Sequence, residues 1–154
     1  MELRYEKRDG YSILTGYSGT EEHIEIASRY EGLPVMKLAP NVFVDHEELL
    51  TVTLPMSIQK IGDSCFRNCK NLICVCIADE AGEHSVFPPA LYYVGDRAFE
   101  GTALKNITFT SPYVELGAKV FRESAIADVC FRDSIKVKLN EGVFAYCQEL
   151  KDNE

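Results

Sequence analysis

A chain of 154 residues, 46% of them apolar, is long enough to bury its own core, and one domain is expected over residues 1–154. Its 16 Lys and Arg face 24 Asp and Glu, a formal net charge of −8, and no basic cluster exceeds the run from Arg4 to Arg8. That balance argues against nucleic acid or an anionic membrane surface as a partner, since both require an excess of cations.

Near Met1 there is no apolar stretch of signal-peptide length, and nothing approaches the roughly 18 apolar residues of a membrane span. As written, the chain is expected in the cytoplasm with no membrane insertion; the alternative is the cell surface, if a signal peptide has been removed. Leu3 and Tyr5 alternate with polar residues, Asp9-Gly10 signals a type I′ turn, and Tyr11, Ile13 and Tyr17 continue the other way. Residues 1–19 therefore read as a β-hairpin that caps the first rung of a repeat region.

From residue 22 to 150 the chain repeats. Phe43, Phe66, Phe99, Phe121 and Phe144 each follow a small or β-branched residue, at steps of 23, 33, 22 and 23. An aliphatic followed by a small or turn-forming residue precedes each ring: Leu38-Ala39, Ile61-Gly62, Val94-Gly95, Leu116-Gly117, Leu139-Asn140. Another aliphatic comes after it and opens a period-two strand, as in Leu72-Val75-Ile77 or Leu104-Ile107-Phe109. A period near 23 with such strands predicts a solenoid, equivalent strands side by side and parallel and the five rings in a buried column. In the first unit, Gly32-Leu33-Pro34 reads as a turn and residues 41–46 as a helical turn. Between Ile77 and Leu91 lies an insertion, residues 78–90, which reads as a solvent loop stopped by Pro88-Pro89. After Leu150 no aliphatic continues the pattern, so either the protein runs on or the uncapped C-terminal rung pairs with another chain, a possible homodimer.

The central unit, Leu54, Pro55, Ser57, Ile58, Ile61, Gly62, Phe66, Cys69 and Leu72, resembles the BspA-like (treponemal-type) leucine-rich repeat family. The resemblance implies an α/β fold: a leucine-rich-repeat solenoid, or horseshoe segment, of short parallel strands with turns or short helices on the other wall. It further implies protein contact, often on bacterial surfaces, and no catalytic residue.

Outward residues flank the buried aliphatic of each strand. His23, Glu25, Thr51, Thr53, Cys74, Cys76, Asn106, Thr108, Asp128 and Cys130 form two columns and are the candidate partner-binding face. Cys76 and Cys130 fall two rungs apart, roughly 10 Å, too far for a disulfide. Cys65, Cys69 and Cys147 occupy core slots of the repeat and are expected to be inert thiols. No cofactor is expected: two outward thiols are too few for a closed zinc site, and no His falls within reach of a Cys. The leading expectation is a non-enzymatic module whose strand face and 78–90 loop contact a protein partner. A structural or adhesive segment of a longer bacterial surface protein is the alternative, and a thiol enzyme or redox sensor using Cys74 or Cys76 the third.

Overall fold

The computed structural model describes residues 1–77, 84–132 and 136–150. Strands β1 (Glu2–Lys7) and β2 (Ser12–Ser18) form the expected hairpin, with Gly10 at φ +88° and no positive φ at Asp9, so the turn is not type I′. Next come β3 (His23–Glu25), β4 (Arg29–Tyr30) and β5 (Leu33–Leu38), then β6 (Thr51–Leu54), β7 (Lys60–Ile61) and β8 (Cys74–Ile77). Beyond them lie β9 (His84–Phe87), β10 (Tyr93–Val94), β11 (Asn106–Phe109), β12 (Tyr113–Leu116), β13 (Asp128–Phe131) and β14 (Lys136–Leu139). The turn before β5 falls at Glu31-Gly32, both at positive φ, while Leu33 and Pro34 already belong to the strand.

The chain coils with three walls per turn. One, the flank sheet, runs β2-β5-β7-β10-β12-β14 in parallel, with β1 antiparallel at its edge. The second, the face sheet, comprises β3-β6-β8 and β9-β11-β13, parallel within each trio. The residues around each phenylalanine make the third, the turn wall. Two consensus side chains stitch one rung to the previous one. Ser57 Oγ donates to Val35 O (2.7 Å), and Cys69 Sγ donates to Phe43 O (3.0 Å). At Gly62 and Gly95 the reason for glycine is close approach: a Cβ would lie 2.5 Å from the backbone N of Pro40 or of Asp63.

No helix occurs among the described residues, so the α/β assignment and the short helices are corrected to an all-strand coil. The cause lies in the backbone at the two residues flanking each ring. Asn41 and Asp45, Ser64 and Asn68, Arg97 and Gly101, Lys119 and Glu123, Gly142 and Tyr146 all take φ between 56° and 75°. These left-handed residues, two before and two after each ring, break the run of right-handed residues that a helix needs. They turn alternate amides along the coil axis instead. Asn41, Phe43 and Asp45 donate to Asp63, Cys65 and Arg67 carbonyls, and the pattern recurs from Ser64, Phe66 and Asn68 to Asp96, Ala98 and Glu100. These inter-rung bonds offset the conformational cost, about 1 kcal/mol or more per non-glycine residue.

The expected ring column is present: Phe43, Phe66, Phe99, Phe121 and Phe144 stack with successive centroids 5.0, 5.0, 5.6 and 5.8 Å apart. The first four are fully buried. Beside it stands a second column on the face sheet, Phe87, Phe109 and Phe131, at 4.8 and 5.3 Å, edge-on to the first. Phe87 belongs to the insertion, whose reading as a solvent loop is corrected over residues 84–87; residues 78–83 lie outside the described residues. Here β9 pairs with β11, His84 opposite Asn106 through Phe87 opposite Phe109, while on the flank sheet β7 pairs directly with β10. The face sheet therefore gains one strand, a width of about 4.8 Å, that the flank sheet does not.

On the turn wall one carboxylate is enclosed. Glu100, its side chain 4% exposed, accepts from Arg122 Nη1 (2.8 Å) and Arg97 Nη1 (3.2 Å) and lies 3.0 Å from Arg67 Nε.

Candidate binding face

The register of the face sheet orders the outward side chains into the two expected columns. One runs His23, Thr51, Cys74, then His84, Asn106, Asp128; the other runs Glu25, Thr53, Cys76, then Val86, Thr108, Cys130. His84 and Val86 are additions that sequence reasoning missed. The signal was present: Phe87, Phe109 and Phe131 are 22 residues apart, and His84 to Phe87 has the strand pattern in all but one position. That position is Ser85, a polar residue where the other strands carry an inward aliphatic. It is fully buried, and its Oγ accepts from Val75 N (2.9 Å), spanning the seam where β8 and β9 share no backbone ladder.

The columns are not uniformly open. His23, Glu25, Asp128 and Cys130 are exposed, Thr51, Thr53, Cys76 and Asn106 are half-buried, and Cys74 and Thr108 are buried. The expectation that all ten stand outward and accessible is thus corrected at two positions. Cys74 lies between Thr51 and β9, its Sγ 4.0 Å from His84 O. Thr108 is covered by the His84 ring, whose Nε2 lies 2.5 Å from Thr108 Oγ1. A matching pair ties His23 Nδ1 to Thr51 Oγ1 at 2.7 Å. At the first rungs a cleft of about 390 Å³ adjoins the face, lined by Glu25, Arg29, Pro34, Thr53 and Met56 among others.

The thiols fall into two environments. Burial pushes Cys69 up to about 12, and burial together with the charge of Cys69 raises Cys65 further. On the face, burial and then the neighbouring Cys76 push Cys74 up to about 11, so it remains a neutral thiol near pH 7. Cys147 is half-buried, not fully enclosed, and its Sγ donates to Phe121 O (2.9 Å), as Cys69 does to Phe43 O. Because β9 intervenes, Cys76 and Cys130 are three strand steps apart, about 14 Å, and not two. Among the described residues no group of three His, Cys, Asp or Glu is placed to hold a metal ion. His84, which shares a column with Cys74, spends its Nε2 on Thr108.

Residues 36–80 and 78–154 match the model of the BspA type leucine rich repeat region. Among solved structures, a leucine rich repeat protein of T. pallidum superposes with a TM-score of 0.81 at 27% identity, covering 96% of this chain and 66% of that one. A leucine-rich repeat protein of Bacteroides ovatus (TM-score 0.63, 22% identity) is covered to 45% by 98% of this chain. A leucine rich cell surface protein of Faecalibacterium prausnitzii (TM-score 0.61, 18% identity) is covered to 52% by 97% of this chain. The chain spans about half to two thirds of the length of these proteins. No curated protein matches it in sequence.

Proposed function

The chain belongs to the BspA type leucine-rich repeat family, and on that premise we propose that it is a non-enzymatic protein-interaction module that makes contact through the face sheet. The observation that carries this reading is the two-column register from His23 and Glu25 to Asp128 and Cys130. It sets six strands of small and polar side chains in one orientation, a surface suited to an extended protein segment or loop. Cys74 on it is held neutral, and the His84 and His23 rings are each bonded to a threonine.

The test uses the whole chain as bait for proteins of its native source, with affinity then measured for the partner recovered. Thr53→Arg combined with Cys130→Arg places two large cations on accessible positions of the face. Affinity should fall by about tenfold or more while the melting temperature stays within a few degrees. Full affinity in this variant would remove the face sheet from consideration.

A second reading is an adhesive segment of a longer surface protein. It is favoured by the Faecalibacterium prausnitzii relative, itself a cell surface protein, and by the partial coverage of all three solved relatives. Protease treatment of intact cells decides between them: loss of the protein supports display at the surface, and full protection leaves the module reading alone.

A further inference from the structure

The flank sheet carries a feature that the protein-contact reading does not use. Lys37 and Lys60 are direct register neighbours on β5 and β7, and both line a groove of about 380 Å³ together with Arg8, Thr15, Asp63 and Tyr93. Lys60 and Tyr93 also line an adjoining recess with Tyr92, Tyr113 and Glu115, so the two are continuous. In the groove three cations face one carboxylate, the reverse of the 16 to 24 balance of the whole chain.

The acids at the site are already engaged. Asp63 Oδ1 accepts from Asp96 N (2.9 Å), and Glu115 pairs with Lys138 (3.7 Å) and accepts from Asn140 (3.0 Å). Arg8 is paired with Glu6 at 3.1 Å. Lys37 and Lys60, by contrast, rest on aromatic faces. Lys37 Nζ stands 4.9 Å over the Tyr11 ring and donates to its hydroxyl (3.3 Å), and Lys60 Nζ stands 5.5 Å over Tyr92. Among the described residues the lysines in ion pairs are Lys7, Lys70 and Lys138, and these two are not among them. A ring face orients an ammonium without neutralising it, which leaves the charge available to a ligand.

We infer that this groove binds a carboxylate-bearing oligosaccharide, with Lys37 and Lys60 on its carboxylates and the exposed rings of Tyr92 and Tyr113 against sugar faces. Both rings are 37% exposed and line the recess beside Lys60. The exposed rings favour a sugar chain over an acidic peptide, because a pyranose offers an apolar face that lies flat on an aromatic ring.

The test is an NMR titration of the full chain with an oligogalacturonate, its methyl ester and an oligoglutamate of equal charge. The oligogalacturonate should bind at least about tenfold more tightly than the other two and weaken as salt is raised. Lys37→Glu with Lys60→Glu should lower that affinity by about tenfold or more, while Thr53→Arg leaves it unchanged. If charge reversal lowers the melting temperature, Lys37→Gln with Lys60→Gln carries the same test. No binding, equal binding of the oligoglutamate, or undiminished binding by the lysine variants would each overturn the inference, and none of them bears on the face sheet.

Discussion

Glu100 shows how a single ionised side chain is kept inside a coil with little room for one. Burial pushes its carboxyl up, but hydrogen bonds from Arg122 and Arg97 and the charges of Arg97 and Arg67 more than reverse this and leave it below the ordinary carboxylate range. A depressed carboxyl stabilises the fold above its unfolded pKa, and that contribution is lost as pH falls through the folded value. Glu100→Gln should therefore cost roughly 1–3 kcal/mol at neutral pH in urea unfolding, the partly exposed arginines limiting the figure. The gap between the two proteins should narrow as pH drops below the ordinary carboxylate range. A gap independent of pH would assign the effect to packing. At this scale the sequence was informative where a residue serves the repeat, as with Cys69 and Gly62, and silent where a residue meets a partner far along the chain. Nothing near Glu100 in sequence announces Arg67 and Arg122, which reach it only because adjacent rungs superpose.

Phenylalanine stacking is the element on which the rungs depend. Phe66 lies between two rings at 5.0 Å, fully buried, so Phe66→Ala opens a void in the middle of the column. The expected cost is about 3–5 kcal/mol by chemical denaturation, a large part of the stability of a domain this size. A loss below about 1 kcal/mol would mean that neighbouring rungs collapse into the space. The ring column was legible because period and chemistry coincide. The turn wall was not: Asn, Asp and Gly accept the left-handed region readily, but Ser64, Arg97, Lys119, Glu123 and Tyr146 adopt it too. Their conformation is imposed by hydrogen bonding between neighbouring rungs. Strand β9 was hidden for a related reason, since Ser85 occupies the slot by which an inward aliphatic marks the other strands.

Over the whole molecule the turn wall has a direction. Alternate amides around each ring, from Asn41 to Glu123, donate toward the C-terminal end. In the last described rung the equivalent amides are those of Gly142, Phe144 and Tyr146, with no backbone acceptor among the described residues. Burial falls off in the same direction: Leu139 is 49% exposed, and Phe131, Val137 and Phe144 are half-buried, against fully buried counterparts at mid-coil. In a coil stabilised mainly by contacts between neighbours, opening should start where burial is least. Amide exchange is therefore expected to be fastest in β13, β14 and the turn at Phe144, and slowest around Phe66 and Phe99. Uniform protection from end to end would indicate all-or-none opening of the whole coil.

The residues alone determined the repeat, the parallel strands, the ring column and the two outward columns, because each rests on a period that a local pattern must keep. Which outward residues stay accessible, the strand within the insertion, the absence of helix among the described residues and the enclosure of Glu100 were decided by rung-on-rung contact. Hydrogen bonds and charges between side chains some 22 to 33 positions apart in the sequence have no local signature, and only the coil brings them within reach.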